Sequence, residues 1–252
     1  MFPGGSITSV VCLVCLVCLV QAETHAETQA EMQQTIRETQ EKVKEVKHSL
    51  ELAAEHDSKS HGDEFRDFQR YAVDVTLDPD TAHPALRLSK DRKELRVGDK
   101  CLTFTANPKR FYPVIIVLGK TGFCSGRFYY EVQVKGKTSW ELGLARESIT
   151  RTGGIILSPE NGYWTIWLRN GKYVALANPP VTLSLRKKPQ KVGVFVDYEK
   201  GLASFFDMDN RSHIYSFTGQ NFIEKLYPYF SPGRGGRDNS APLVIRHVTG
   251  TH

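Results

Sequence analysis

The stretch Lys191–Asp207, KVGVFVDYEKGLASFFD, constrains the fold more than any other part of the chain. Val192, Val194 and Val196 alternate on one face, with Gly193, Phe195 and Asp197 on the other. A polar break, Asp197-Tyr198-Glu199-Lys200-Gly201, follows. The alternation then resumes, with Ala203 and Phe205 set against Leu202, Ser204 and Phe206. Period-two alternation on both sides of a short glycine-containing loop predicts an antiparallel hairpin. Its first arm is apolar on nearly both faces, which places it inside a packed sheet rather than at an edge.

Such a hairpin needs strand partners from upstream, and from Tyr71 onward the sequence supplies them. Val73–Leu77 alternates and stops at Asp78-Pro79-Asp80; Ala85–Ser89 alternates and stops at Lys90-Asp91. Val114–Leu118, Arg127–Val134, Trp140–Ala145, Tyr163–Leu168, Tyr173–Ala177 and Ile214–Phe217 are further short runs rich in Val, Ile, Phe and Tyr. Short strands cut by turn residues, with no helical stretch between them, predict an all-β antiparallel sandwich or barrel. Roughly 180 residues are enough to bury a core.

Several of these runs carry a family resemblance. Leu77-Asp78-Pro79-Asp80-Thr81-Ala82 resembles the opening of the PRY half of the B30.2 (PRY-SPRY) domain. Ser125–Val132, Trp140–Ala145, Asn161–Trp167, Val192–Gly201 and Tyr229–Gly233 resemble, in order, motifs of the SPRY half. The resemblance covers residues 73–248. It implies a bent two-sheet antiparallel β-sandwich, preceded here by an N-terminal helix. It also implies a domain that binds proteins, as in tripartite-motif ubiquitin ligases, butyrophilins and some secreted venom proteins. The RING and B-box cysteines of the ligases do not precede the helix in these 252 residues, so ubiquitin ligation by that route is not expected.

The first 72 residues differ physically from the rest. They hold 7 Lys/Arg and 12 Asp/Glu, a net −5, whereas residues 73–252 hold 26 and 16, a net +10. A basic domain favours anionic partners. No Lys/Arg stripe with interleaved aromatics argues for nucleic acid. Val10–Val20 is an unbroken apolar run, about 16 Å long as a helix, short for a bilayer core of about 30 Å. With Val20-Gln21-Ala22 behind it, the run fits a signal peptide over residues 1–22, although Met1–Ser9 has no Lys or Arg. Secretion is therefore expected. The alternative is a short membrane anchor with the domain in the cytosol, similar to the tail of a butyrophilin.

Residues 23–57 are rich in Ala, Glu, Gln and Lys up to Glu55, which favours helix. Met32, Ile36, Thr39, Val43, Val46, Leu50 and Ala53 step by fours and threes, an a/d seam of about three heptads flanked by Lys42 and Lys47. The seam predicts self-association through residues 32–53; the competing reading is a lone amphipathic helix. Residues 58–72 read as a linker.

Chemistry is sparsely signalled. Cys12, Cys15 and Cys18 have no partner ligands at zinc spacing, and the eight His show no metal pairing, so no metal or other cofactor is expected. Cys101 and Cys124 could pair or stay free. Gly122-Phe123-Cys124-Ser125-Gly126 mimics a nucleophile elbow. That motif needs a helix after it, whereas Arg127–Val134 alternates as a strand. A hydrolase has no constellation to support it, and no enzymatic activity is expected.

In the family, partners bind through loops at one end of the sandwich. Matched by motif, the candidates here are Glu141, Trp167, Arg169 and Arg234. Trp and Arg are common interface anchors. Trp140 and Trp164 read as core, and Trp167 as core or interface alike. Arg169 stands where some relatives use Trp for antibody recognition, and Glu141 where some butyrophilins use His in a pocket for phosphorylated metabolites. Neither activity is expected here. Gly233–Arg237 reads as a mobile surface loop. Asn210-Arg211-Ser212 is the one Asn-x-Ser/Thr sequon, in a polar link where a glycan fits.

Overall fold

The structure is a computed structural model that describes residues 29, 32–44, 47, 67–101 and 107–248. The chain divides into two compact units, Met1–Lys59 and Ser60–His252.

In the first unit, residues 32–44 are helical. Met32, Ile36 and Val43 are 63%, 50% and 62% exposed, so the predicted seam lies open to solvent along this helix. Val46, Leu50 and Ala53 of the seam, the apolar run 10–20 and Cys12, Cys15 and Cys18 lie outside the described residues. No described helix is long and apolar enough to cross a membrane.

The second unit is a sandwich of two antiparallel sheets. Its strands are β1 (Leu86–Leu88), β2 (Glu94–Val97), β3 (Val117–Leu118), β4 (Arg127–Gln133), β5 (Trp140–Arg146), β6 (Tyr163–Arg169), β7 (Lys172–Ala175), β8 (Val181–Leu183), β9 (Lys191–Asp197), β10 (Leu202–Asp207), β11 (Ser212–Phe217), β12 (Leu226–Ser231) and β13 (Leu243–Arg246). One sheet has the order β1-β2-β13-β4-β9-β10-β11, the other β3-β12-β5-β6-β7-β8.

The predicted hairpin is β9–β10, with Ala203 opposite Val196 and Phe205 opposite Val194. β9 lies between β4 and β10, as its two apolar faces require. Val192, Val194 and Val196 point into the sandwich and are fully buried, together with Trp140, Leu142, Leu144, Ile166 and Phe230 of the facing sheet. The other face of β9 is covered by residues the sequence assigns to the linker. Asp67–Gln69 form a helical turn, and the Phe68 ring lies 4.4 Å from Phe195 and 4.8 Å from Phe206.

Two predicted strands differ. Val73–Leu77 is not a strand; it touches β4 through the bridge Ala72–Tyr129 and the opposite sheet's edge through Leu77–Gly119. It crosses between the sheets, so its alternation reports burial of Val75 and Leu77 rather than a ladder. Of Val114–Leu118 only Val117–Leu118 pairs, with β12. β2, β8, β12 and β13 are not marked by the sequence pattern. β12 contains Pro228, which has no N–H and so argues against a central strand. Its carbonyl still accepts from the Gly119 N–H at 2.8 Å.

Candidate functional site: one end of the sandwich

The antiparallel registers bring six connections to one end: residues 98–101, 134–139, 170–171, 184–190, 208–211 and 232–242. These carry nine Lys/Arg against three Asp, whereas the connections at the opposite end carry seven against five. The first end is therefore the more basic, and it holds all four predicted site residues.

Glu141 is the second residue of β5, opposite Trp167 of β6 and Ser231 of β12. Arg169 is two residues beyond Trp167, so the three side chains share the outer face of their sheet. Glu141 is 2% exposed. Its Oε2 accepts from the Tyr229 hydroxyl at 2.8 Å, and its Oε1 accepts from Arg169 Nη2. Burial, with the Glu141 carboxylate beside it, pushes the Tyr229 hydroxyl pKa well above the ordinary tyrosine value. Tyr229 therefore stays a donor throughout the physiological range.

Arg169, held from behind by Glu141, lies with Cζ 4.1 Å from the centroid of the half-buried Trp167 ring. A guanidinium over an indole is attractive by about 0.5–2 kcal/mol. The two contacts fix a side chain that would otherwise lose rotamer entropy on binding. Glu141 is thus a buried support for Arg169 and is not itself presented to a partner. Trp140 (1%) and Trp164 (4%) are core, as expected.

Arg234 is exposed on the β12–β13 connection. That loop is tied down. Asn239 Nδ2 donates to the carbonyls of Pro232 (2.8 Å) and Arg234 (3.0 Å), and its Oδ1 accepts from Thr138 N (3.0 Å) and Ser139 N (3.1 Å). A helical turn, Arg237–Asn239, follows the glycines. Lys137 anchors the same loop, donating to Ala241 O at 2.8 Å; burial lowers its pKa to about 8. Neither Asn239 nor Lys137 has a sequence signal, because both look like ordinary loop residues. Asn210 is exposed in the β10–β11 turn, and its Nδ2 donates to Asp207 Oδ2 at 2.7 Å. Cys101 and Cys124 are free and exposed. β4, not a helix, follows Gly126, so the elbow geometry is absent there.

The SPRY-associated domain, PRY, matches residues 75–123, and the SPRY domain matches residues 127–241. Together they cover every strand of the sandwich except β13. The chain belongs to the PRY-SPRY family. This PRY-SPRY chain is 54% identical over 159 residues to "Nuclear factor 7, ovary" of Xenopus laevis, covering 63% of this chain and 26% of that protein. It is 47% identical over 184 residues to human pyrin, covering 72% and 24%. With human erythroid membrane-associated protein the figures are 46% over 175 residues, 69% and 37%. The chain thus spans only about a quarter to a third of these relatives. The TRIM65 PSpry domain superposes with a TM-score of 0.63 at 19% identity, covering 72% of this chain and 94% of that one, which shows the shared fold. The stonustoxin structure superposes with a TM-score of 0.61 at 25% identity, covering 70% and 29%. PRY-SPRY domains are protein-interaction modules.

Proposed function

We propose that this PRY-SPRY domain recognises an acidic segment of a partner protein through the end that carries Trp167, Arg169 and Arg234. The observation that carries the reading is the preset Arg169. Its guanidinium is positioned by a buried carboxylate and an indole, yet 49% of the side chain remains exposed. The excess of Lys and Arg in the surrounding connections suits an acidic partner and speeds its approach. The N-terminal helix, through its exposed Met32, Ile36 and Val43, joins copies of the chain and raises avidity. Residues 1–22 direct it to the secretory pathway; the alternative is an anchor with the domain in the cytosol.

The test is partner capture with the full chain. Removing Arg169 alone would strand the Glu141 carboxylate, so Arg169→Ala is combined with Glu141→Gln. The double variant and Arg234→Ala should each lose captured partner at least tenfold, about 1.4 kcal/mol, while remaining folded. Capture unchanged in both variants places the partner elsewhere.

A further inference from the structure

On the outer face of the other sheet, Arg87 of β1 and Arg96 of β2 are direct cross-strand partners. Like charges set opposite each other destabilise an antiparallel ladder. No ion pair relieves either arginine among the described residues, and Glu94, on the same face as Arg96, pairs with neither. Carbonyls hold Arg87 instead: Nη1 donates to Pro84 O (3.1 Å) and Leu86 O (3.0 Å), and Nη2 to Lys100 O. Carbonyls orient a guanidinium without bringing a formal negative charge to it.

Both arginines line a cavity of about 980 Å³ together with Lys100 and Arg237; Asp99 is the one carboxylate among its described lining residues. Gly235 and Gly236 form part of the wall. A Cβ on Gly235 would come within 3.0 Å of the Val97 side chain, so glycine lets the β12–β13 connection close against β2. The Gly235 and Gly236 N–H groups donate to no acceptor among the described residues. The cavity thus combines four cations, two of them cross-strand arginine partners, with one anion and two backbone donors that have no acceptor among the described residues. It excludes Glu141 and Arg169, which lie on the other sheet.

We infer that this cavity binds a phosphate monoester carried by a partner polypeptide, as phosphoserine or phosphothreonine. A phosphate monoester brings about −1.5 to −2 charge and three acceptor oxygens. That matches paired arginines plus backbone donors better than a singly charged carboxylate does. The polypeptide carrier rests on the protein-recognition reading above; the phosphate chemistry rests on the cavity alone.

The experiment uses the full chain and two readouts. The first is fluorescence anisotropy with a short glycine–alanine peptide bearing one central phosphoserine, beside the same peptide with serine and with inorganic phosphate as competitor. The phosphopeptide should bind at least about tenfold more tightly than the serine peptide, and inorganic phosphate should displace it. Arg96→Gln should lower that affinity about tenfold or more, while Lys172→Gln, an exposed control outside the cavity, leaves it unchanged.

The second readout is thermal unfolding at matched ionic strength. Phosphate should raise the Tm of the parent. Arg96→Gln should unfold no lower than the parent in phosphate-free buffer, because it relieves the repulsion, and should lose the phosphate response. The Glu141→Gln/Arg169→Ala variant should keep phosphopeptide binding, so failure of the cavity and failure of the Trp167–Arg169 face read separately. Equal affinity for the two peptides, an intact phosphate response in Arg96→Gln, or a lower Tm for that variant would each overturn the proposal. So would displacement by inorganic phosphate without any phosphopeptide preference, which would indicate a free phosphate ligand. Binding of an RNA oligonucleotide or of anionic vesicles in place of the phosphopeptide would overturn it as well.

Discussion

Glu141 and Arg169 form an ion pair that is closed at one end and open at the other: the glutamate side chain is 2% exposed, the arginine side chain 49%. The asymmetry makes the two positions unequal under mutation. Arg169→Ala leaves a buried carboxylate with only the Tyr229 hydroxyl as partner. It should therefore cost about 1–3 kcal/mol, more than an exposed arginine usually does. Glu141→Gln/Arg169→Ala should recover part of that loss, because no charge is stranded. A chemical-denaturation cycle over Arg169→Ala, Glu141→Gln and the double variant measures the coupling; additivity would mean that Glu141 does not support Arg169.

Lys137 offers a pH signature. It is 1% exposed, and burial lowers its pKa from 10.5 to about 8. Below about 8 the amine is protonated in both states, and the cost of burying the ammonium is fully present. Between about 8 and 10.5 the unfolded state binds more protons, so stability from this residue rises with pH. Lys137→Met should remove this rise. The difference in melting temperature between parent and variant, followed from pH 7 to 10 in a series of buffers, is expected to drift in the parent's favour as pH climbs; a flat difference contradicts the assignment.

The exposed stripe Met32–Ile36–Val43 predicts that residues 23–252 sediment as an oligomer. Val43→Asp with Leu50→Asp should give a monomer with a folded sandwich, since charges in an a/d seam oppose helix pairing and leave the sheets untouched. Analytical ultracentrifugation decides the matter, and a monomeric parent at tens of micromolar refutes the seam.

Asn210 reports on the compartment. It sits exposed in the β10–β11 turn, where a glycan can stand clear of both sheets. A secreted chain should lose mass on glycosidase treatment, and Asn210→Gln should abolish the shift. An unmodified chain that stays with membranes and keeps residues 1–22 would favour the anchored alternative.

Phe68 should be structural. Replacing it with Ala removes the ring packed on Phe195 and Phe206 and should cost about 1–3 kcal/mol, less than a fully buried phenylalanine, because Phe68 is only half-buried. The urea midpoint of the full chain measures the loss: no change would mean that residues 67–72 contribute nothing to the sandwich.

The sequence by itself determined an antiparallel all-β domain and its central hairpin, and its resemblance to the PRY-SPRY motifs picked out the sandwich and the positions of Glu141, Trp167, Arg169 and Arg234. Alternation and turn residues are local signals, and a strand buried on both faces writes its burial directly into its residues. The tertiary structure alone decided the rest. Period two in Val73–Leu77 marks burial during a crossing, because alternation cannot distinguish a ladder from a chain that dips twice into a core. Residues 67–72 read as linker because the apolar face they cover belongs to β9, far along the chain. Glu141 reads as a surface acid because its partners, Arg169 and Tyr229, come from strands 28 and 88 residues distant. The opposition of Arg87 and Arg96 was hidden for a related reason: the register of β1 on β2 places two unremarkable arginines side by side, and register is set by the fold as a whole.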